Sequence, residues 1–528
     1  MRRIAVWFLL AGSFGAAAAA ALPEGSRWWA HVRRLASDEM EGRGTGTPGY
    51  RRAARYVEKV LSSAGVAPAG AAGWEQPVRL RSRRLLEDRS RVALVRGGAE
   101  EPLAFGDDVI VSVRTDPAPE LDAPVVFVGY GVSAPGQGHD DFAGIDLRGK
   151  LAMFLSGSPP GLSPEVSAHA QSSGVRWKAL RAAGAVGEIV VFNPRHMESP
   201  WERHARARVM PSMSLADPAL DELAGERLGM AVNPARAEKF FAGAPHTFAE
   251  LVDLVEAGKP LPRFPLAVSV RATLREETRS VESFNVVGVL RGSDPKLSKE
   301  FVVLSAHLDH LGVGVPVSGD AIYNGAMDNA SGCAALLDFA ETVRESRRPL
   351  RRSVLLVFVT GEEKGLLGSR WFALHPTVPR DAMVADLNID MFLPLFPLRL
   401  VTVLGLDESD VGDAVRASAR SLGIAVQRDP EPERHVFIRS DQYNFVRDGI
   451  PSVMVDVAAP AGSPDADRLK RWLAERYHAP SDDPGQPVDL AAAAAYEKLM
   501  FGAAREVADR DERPHWKPGS FFRRFESR

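Results

Sequence analysis

The chain has 528 residues but a single cysteine, Cys333, so no disulfide can form within one molecule. A chain without disulfides must depend on its hydrophobic cores for stability. Cys333 lies in the small, apolar segment ASGCAALLDFA, which is typical of a buried helical residue and not of a nucleophile. The 45% hydrophobic content is enough for two or three cores in a chain of this length.

Neither sign of charge predominates, since 65 Lys and Arg residues oppose 68 Asp and Glu residues for a formal net charge of −3. The strongly basic composition that favours nucleic acid or an acidic membrane surface is therefore absent. We expect no nucleic-acid partner. Beyond the N-terminus, no apolar run approaches the ~20 residues of a membrane span, and no internal repeat is evident.

Residues 1–21 have the pattern of a signal peptide. Arg2 and Arg3 form a basic start, residues 4–10 are apolar, and the following alanine run offers A-x-A cleavage sites. A membrane anchor is the alternative, but the strongly apolar part is well short of the ~20 residues that a span needs. We predict an exported protein, periplasmic or secreted, with no transmembrane span after signal cleavage.

The rest of the chain divides by pattern into a main domain with one insertion. Residues 24–120 form the N-terminal part of the main domain, with helical stretches and a glycine-rich break. Residues 121–255 are strand-rich and indicate the insertion, and the segment AGKPLPRFP at 257–265 indicates a linker. Residues 265–520 then complete the main domain.

Beyond residue 280, apolar runs of strand length alternate with amphipathic helical stretches. Continuous β-branched runs between helices are typical of parallel strands that are buried on both faces. We therefore predict an α/β fold with a mainly parallel mixed sheet sandwiched by helices. The predicted strands are 284–290, 301–307, 353–359, 382–390, 399–406 and 450–457.

Polar side chains follow three of these strands at the point where each strand ends. The first ends in HLDHLG, the next in the adjacent pair Glu362 and Glu363, and the third in Asp390. Because ligands of open α/β sheets bind beyond the carboxyl ends of the strands, we expect these side chains at one edge. His, Glu and Asp are hard or borderline metal ligands, so the pattern predicts a metal site.

Two further residues fit a metal site, although each is weak evidence alone. Asp328 lies in a turn before a helix, where an N-cap is the usual role, and His478 lies in a loop after the last clear strand. Together with His307, Asp390 and one of the two glutamates, they make five ligands. Five ligands exceed the need of one tetrahedral ion, but they suit two ions that share Asp328.

The two glutamates then have different tasks. One is a ligand, and the other stays free of metal to accept a proton from the attacking water and pass it to the leaving amine. The residues alone leave open which glutamate has which task. Asp309 is placed to bind the far ring nitrogen of His307, whereas His310 is a competing ligand that falls past the strand end.

In this order, the segments HLDHLG, YNGAMDNASG, GEEKGLLGS, LNIDM and YHAPSDD resemble the co-catalytic two-zinc aminopeptidases of peptidase family M28. The resemblance implies two Zn²⁺ ions, with other divalent ions as alternatives. It implies that Glu362 is the general base, that Asp309 supports His307, and that the peptide bond between Asp328 and Asn329 is cis. The implied ligands are His307, Asp328 and Asp390 for one ion, and Asp328, Glu363 and His478 for the other.

The resemblance extends to most of the chain after the signal peptide. The segments LASDEMEGRGTGTPG and ERPHWKPGSFF are similar to exported bacterial members, and residues 121–255 resemble an inserted protease-associated domain. Two positions depart from the family pattern: Met327 replaces an Asp, and Gln442 replaces a His. The loop around Gln442 either contacts substrate or packs against the sheet. Its candidate substrate-binding residues are Ser440, Asp441, Gln442 and Tyr443.

Together, these observations predict an exported two-zinc metallo-exopeptidase, an aminopeptidase that hydrolyses N-terminal residues from peptides. The alternatives on the same fold are a dipeptidase, a carboxypeptidase, or a glutaminyl cyclase-like enzyme, of which the cyclising relatives use one zinc. A non-catalytic receptor-like module belongs to another class, and the presence of all five ligands and the base disfavours it. The oligomeric state and the preferred side chain do not follow from the sequence.

Overall fold

The structure, a computed structural model, describes residues 24–526. The predicted signal peptide at 1–21 lies outside the described residues. Among residues 24–526, no helix is long and apolar enough to cross a membrane. The described chain forms two large sheets, each with its own hydrophobic core.

The α-helices surround both sheets, and the bounds of each follow. They are α1 (Ser26–Leu35), α2 (Pro48–Ser63), α3 (Pro164–Gln171), α4 (Ser173–Ala182), α5 (Trp201–Ala207), α6 (Glu238–Phe241), α7 (Phe248–Glu256), α8 (Ser331–Ser346), α9 (Leu367–Leu374), α10 (Val411–Ser421), α11 (Gln442–Arg447), α12 (Pro464–Glu475) and α13 (Leu490–Asp509).

The strands are numbered in chain order across both sheets. They are β1 (Ala67–Pro68), β2 (Glu75–Leu85), β3 (Arg91–Arg96), β4 (Ala99–Leu103), β5 (Val109–Ser112), β6 (Glu120–Phe127), β7 (Ser133–Ala134), β8 (His139–Asp140), β9 (Leu151–Leu155), β10 (Gly187–Val191), β11 (Ser212–Leu215), β12 (Gly229–Val232), β13 (Phe264–Thr273), β14 (Glu276–Leu290), β15 (Phe301–His307), β16 (Gly312–Val317), β17 (Asp320–Tyr323), β18 (Ser353–Val359), β19 (Met383–Asn388), β20 (Leu400–Leu404), β21 (Ala425–Gln427) and β22 (Ser452–Ala458).

The first sheet has the order β11-β2-β14-β18-β15-β19-β22-β20-β21, with β1 paired to β14. Its centre, β18-β15-β19-β22, is parallel, which confirms the predicted α/β fold. Antiparallel pairs flank this centre on both sides, at β14 with β18 and at β20 with β22. Parallel pairing is therefore concentrated in the strands whose ends carry the candidate ligands.

Helices cover the first sheet on both faces, as predicted. On one face, the core contains Trp28 of α1, Tyr50 of α2 and Tyr496 of α13. On the other face, Phe372 of α9 and Phe445 of α11 pack against the sheet. The strands are apolar on both sides because both sides are buried, so β15 and β18 are buried along their whole lengths.

Cys333 is fully buried in α8, as the sequence pattern predicted. Its Sγ lies 3.1 Å from the backbone oxygen of His307. Burial raises the pKa of the thiol to about 12, so the thiolate needed for a nucleophile is not available near neutral pH. The residue is part of the core.

The second sheet has the order β4-β3-β13-β6-β9-β10-β12-β5. It therefore starts at Arg91 and ends at Thr273, so the expected insertion bounds of 121–255 are too narrow. Strand β11, inside those bounds, pairs with β2 of the first sheet. The predicted start lies too late because β3, β4 and β5 precede residue 121, and β3 is tied to this sheet by pairing with β13, which is distant in the chain.

Two long strands join the sheets. Strands β2 and β14 pair antiparallel from Glu75 with Val286 to Leu85 with Glu276. The predicted linker at 257–265 is an irregular segment only to Arg263, because β13 begins at Phe264. The assignment of the second sheet to a protease-associated domain remains a prediction.

Candidate metal centre

The predicted ligands follow three adjacent strands of the first sheet. His307 is the last residue of β15, which lies between β18 and β19. Glu362 and Glu363 follow β18 after Gly361, whose φ of 67° lets the chain turn sharply. Asp390 follows β19. Because these strands are parallel, all of these side chains lie at one edge, as predicted.

Asp328 reaches the same edge from the turn before α8. The usual N-cap role belongs to its neighbour, since the Asn329 Oδ1 accepts a hydrogen bond from the Gly332 N–H at 2.9 Å. The Asp482 carboxylate accepts hydrogen bonds from the backbone N–H groups of Met327 and Asp328. The Asp328–Asn329 peptide bond is cis, as the resemblance implied.

The two carboxylate oxygens of Asp328 face two different groups of metal donors, that is, of atoms able to bind a metal ion. Its Oδ1 lies 3.2 Å from His307 Nε2, which is also 3.1 Å from Asp390 Oδ1. Its Oδ2 lies 3.2 Å from His478 Nε2, which is also 3.2 Å from Glu363 Oε2. Asp328 thus lies between a pair formed by His307 and Asp390 and a pair formed by His478 and Glu363.

Burial and imidazole groups act against each other on these carboxylates. Burial alone would raise the pKa of Asp328, but His310, His307 and His478 outweigh it and lower the pKa well below its usual value. The pKa of Glu363 is also lowered, because His478 and His310 outweigh burial. Both groups therefore favour the ionised form, which is the form that binds a cation.

The donor atoms fit two divalent ions. Each side of Asp328 offers one imidazole nitrogen and two carboxylate oxygens, a donor set that suits zinc. The Glu363 side chain is only 3% exposed, and its Oε1 lies 2.7 Å from His310 Nδ1. A buried carboxylate needs a cationic or hydrogen-bonding partner, and a metal ion beside Oε2 would be such a partner.

His310 lies beside the second group of donors. Its Nδ1 is 2.7 Å from Glu363 Oε1 and 3.8 Å from Asp328 Oδ2, and the side chain is fully buried. His310, Asp328 and Glu363 also form a compact cluster of candidate ligands. Strand position alone disfavoured His310 as a ligand, because the sequence does not show that the loop after β15 keeps this residue beside the other ligands.

Glu362 belongs to neither group of donors, but it lines the cavity that Glu363 and His478 also line. Its backbone N–H donates to Asp309 Oδ1 at 3.2 Å. Burial raises the pKa of the Glu362 side chain well above its usual value, and neighbouring carboxylates add to the rise although His307 opposes it. A carboxylate with a raised pKa is suited to accept and return a proton.

Asp309 meets the far ring nitrogen of His307, but through its backbone and not through its carboxylate. His307 Nδ1 lies 3.0 Å from the backbone oxygen of Asp309. The Asp309 carboxylate instead accepts hydrogen bonds from the Thr45 hydroxyl, at 2.8 Å, and from the Glu362 N–H. The chain turns after β15, so the carbonyl and not the side chain faces the ring. Asp309 still fixes the imidazole, but through its main chain.

Three of the four candidate substrate-binding residues pack against the sheet. Ser440, Asp441 and Gln442 are buried. The Ser440 hydroxyl donates to Asp390 Oδ2 at 2.5 Å, and the Gln442 amide binds Asn388 and the Phe437 carbonyl. Neither Asp441 nor Gln442 lines the cavity beside Glu362 and Glu363, and substrate contact by these two residues stays a prediction. Tyr443 does line the cavity, and its hydroxyl lies 2.8 Å from His169 Nδ1.

A cavity of about 1150 Å³ lies between the two sheets and opens on Glu362, Glu363 and His478. The second sheet and its helices supply one wall, and the loops of the first sheet supply the other. Ion pairs join the two walls. On one side, Glu222 of the wall formed by the second sheet pairs with Arg370 and Arg447 of the other wall. On another side, Glu198 pairs with Arg434 and Arg439.

The Glu198 contacts give a pH-dependent contribution to stability. Burial alone would raise the pKa of Glu198, but Arg439 and Arg434 lower it from 4.5 to about 2. A group whose pKa is lower in the folded state stabilises above its unfolded pKa, and this contribution is lost as the pH falls through the folded pKa. Since each pKa unit corresponds to about 1.4 kcal/mol, the contribution is at most about 3.5 kcal/mol.

Replacement of Glu198 by glutamine tests this contribution. We expect Glu198→Gln to lower the melting temperature at pH 7, and the difference from wild type to shrink as the pH falls from 4.5 towards 2. Glu202→Gln is the control, because Glu202 is exposed on the same segment. A difference from wild type that stays constant across this pH range would contradict the ion-pair explanation.

Part of the chain is similar to known proteins. Residues 285–504 match the sequence model of peptidase family M28. The probable leucine aminopeptidase 2 of Aspergillus oryzae (strain ATCC 42149 / RIB 40) is 26% identical over 247 residues, which are 44% of this chain and 45% of that protein. Carboxypeptidase Q of Xenopus laevis is 30% identical over 116 residues, 22% of each chain. The chain thus spans less than half the length of these curated relatives.

A solved structure extends the fold comparison to nearly the whole chain. The aminopeptidase from Aneurinibacillus sp. strain AM-1 superposes with a TM-score of 0.55 and 18% identity, covering 94% of this chain and 95% of that one. This likeness shows that the two chains share a fold. Residues 285–504, which match the model of peptidase family M28, carry every predicted ligand.

Proposed function

We propose that this protein is an exported, two-zinc aminopeptidase that removes N-terminal residues from peptides. One observation carries the proposal: the two oxygens of Asp328 face two separate groups of donors. A single ion would leave one of these groups without a cation. Two ions sharing Asp328 would satisfy both groups.

In this proposal, each ion is bound by three side chains. His307, Asp328 and Asp390 bind one ion, and Asp328, Glu363 and His478 bind the other. Bound zinc ions would supply Lewis acidity that activates water and polarises the peptide carbonyl. The Ser440 hydroxyl, which donates to Asp390 Oδ2, would keep that carboxylate in its binding orientation.

Glu362 acts as the general base in this scheme. It is not part of either group of donors, it lines the cavity, and its raised pKa favours a proton-accepting role. Glu362 would accept a proton from the attacking water and deliver it to the departing amine nitrogen. Asp309 holds the backbone of Glu362, so the base has a fixed starting position.

The cavity between the two sheets favours attack near the end of a peptide. Walls on both sides, joined by the Glu198 and Glu222 ion pairs, restrict entry of a folded chain. The family resemblance and the leucine aminopeptidase relative favour the N-terminal end. The carboxypeptidase relative makes C-terminal cleavage the main alternative, with a dipeptidase as a further outcome of the same experiment.

A peptide-library digest tests direction and chemistry together. The zinc-loaded protein without residues 1–21 would be incubated with the library and the products read by mass spectrometry. We expect losses of single N-terminal residues, abolished by a chelator and restored by zinc. Losses from the C-terminus would replace the aminopeptidase assignment, and a metal-loaded protein that cleaves no peptide would contradict the enzyme assignment.

Export is a separate part of the proposal and rests on the sequence of residues 1–21. We expect the full-length chain, expressed in a bacterium, to be recovered in the periplasm or the medium. N-terminal sequencing of the recovered protein would then begin after the alanine run. An intact N-terminus in the cytoplasmic fraction would contradict export.

Glu363→Gln tests the assignment of the two glutamates. An amide cannot provide the charge or the second oxygen donor of a carboxylate, so we expect about one tightly bound zinc per chain in place of two. Asp390→Asn should remove the other ion in the same assay. Metal content after dialysis, measured by atomic absorption, checks both results. Two retained ions in Glu363→Gln would contradict its role as a ligand.

A further inference from the structure

The glycine-rich segment before α2 contacts the metal centre from outside the family-matched region. Residues Asp38–Arg43 form a short 3₁₀ turn, and Gly44 pairs with His310 in a β-bridge. Gly42 has a φ of 61°, and a Cβ there would lie 2.3 Å from the Tyr323 carbonyl oxygen. The segment therefore packs directly on the main chain that follows β15, and only glycine permits this approach.

Arg43 connects the two loops that carry His307 and Asp328. Its side chain is 1% exposed, and its guanidinium donates to four backbone carbonyls of the described chain. These carbonyls belong to Leu35 at 2.8 Å, Leu308 at 2.9 Å, Asn324 at 2.7 Å and Gly325 at 2.8 Å. Leu308 adjoins His307, and Gly325 lies three residues before Asp328, so one rigid guanidinium fixes both loops.

Thr45 acts on the other side of the same site. Its hydroxyl donates to Asp309 Oδ2 at 2.8 Å, and Asp309 is fully buried. The other carboxylate oxygen of Asp309 accepts the Glu362 N–H at 3.2 Å. The backbone oxygen of Asp309 meets His307 Nδ1 at 3.0 Å. A single hydroxyl thus orients the residue that contacts both the proposed base and a proposed ligand.

We propose that Arg43 and Thr45 are positioning residues of the metal centre, and we call them the Arg43–Thr45 clamp. Arg43 sets the spacing of the two ligand loops, and Thr45 sets the orientation of Asp309. The effect of the clamp on zinc affinity rests on the proposed metal centre, and its catalytic consequence rests also on the proposed peptidase activity. The ordinary alternative is that both residues only stabilise the fold.

Thr45→Val is the decisive variant, because valine keeps the shape of threonine and removes only the hydroxyl. Loss of a hydrogen bond behind a metal ligand typically costs 10–100-fold in metal affinity or activity. We therefore expect zinc affinity, measured by competition with a chelator, to fall by about tenfold or more. We expect kcat to fall by a similar factor while KM stays close to wild type. Thr45→Ser restores the hydroxyl and should restore both values.

Thr47→Val is the matched control. Thr47 lies on the same segment and carries the same hydroxyl, which donates to the Gly44 carbonyl and accepts from the Tyr50 N–H at the start of α2. It has no contact with Asp309 in the described structure. We expect a lower melting temperature for Thr47→Val but unchanged zinc affinity and kcat.

Two results would overturn the clamp. One is a Thr45→Val protein with the zinc affinity and kcat of wild type. The other is an equal loss of zinc affinity in Thr45→Val and Thr47→Val, which would indicate a general loss of stability. If the wild-type protein binds zinc but cleaves no peptide, the proposed function fails, and the zinc affinities alone decide the clamp.

Arg43→Lys provides a second measurement for the other half of the clamp. Lysine keeps the positive charge but cannot reach four carbonyls in the fork geometry of a guanidinium. We expect zinc affinity to fall by about tenfold or more in this variant. Arg55→Lys on the exposed side of α2 serves as its control. Wild-type zinc affinity in Arg43→Lys would overturn this half of the proposal.

Discussion

Replacement of Glu362 by glutamine is expected to lower kcat by about a thousandfold while both zinc ions stay bound. A general base contributes typically 10²–10⁴-fold, and an amide cannot accept the proton. Because Glu362 belongs to neither group of donors, the ions should remain. KM should change little, since the side chain acts on the proton and not on substrate binding. Steady-state kinetics and metal analysis of the same preparation check both statements.

Glu433→Gln is the control for this prediction, because Glu433 lines the same cavity away from the metal donors. It should retain wild-type kcat and two ions. A Glu362→Gln protein that keeps wild-type kcat would contradict the role of Glu362. A Glu362→Gln protein that loses one zinc ion would instead indicate that the two glutamates have exchanged tasks.

Asp328→Asn is expected to have the second large effect, because Asp328 faces both groups of donors. Its Oδ1 and Oδ2 lie 3.2 Å from His307 and from His478, respectively. Asparagine retains one oxygen, so it can serve at most one ion and carries no charge to balance it. We expect fewer than one tightly bound zinc per chain. Since each ion provides several kcal/mol of transition-state stabilisation, activity should fall by more than about a hundredfold.

Asp338→Asn controls for the loss of a buried carboxylate near the same helix. Asp338 lies in α8 and pairs with Arg27, away from the donors. It should keep two ions and wild-type kcat, even with a lower melting temperature. Near-ultraviolet circular dichroism would show whether Asp328→Asn keeps its fold. A folded Asp328→Asn protein with two tightly bound ions would contradict the shared ligand.

The central strands of the first sheet were predictable from the sequence because burial on both faces leaves a continuous apolar signal. The predicted strands 301–307 and 353–359 coincide with β15 and β18. The ligands at their ends followed from the topology of parallel sheets. The second sheet was harder, because β3, β5 and β13 are short or follow a proline-rich segment, and their pairing is decided by distant residues.

Within the site, the sequence indicated residue types at strand ends but not the directions of side chains. His310 and Asp309 show this limit: the chain after β15 bends so that the His310 ring meets Glu363 and the Asp309 carboxylate points away from His307. Arg43 and Thr45 were missed as site residues, although the segment GRGTG was noted. Its closely spaced glycines were the available signal of a close backbone approach.

The central claim is that two ions are needed, and a zinc titration of the metal-free protein tests it most directly. Zinc would be added stepwise while hydrolysis of an aminoacyl chromogenic substrate and bound metal are measured together. We predict that full activity is reached at two equivalents of bound zinc per chain, and that Glu363→Gln binds about one and remains far below wild-type activity. Full activity at one equivalent, with no further binding, would contradict the two-ion account.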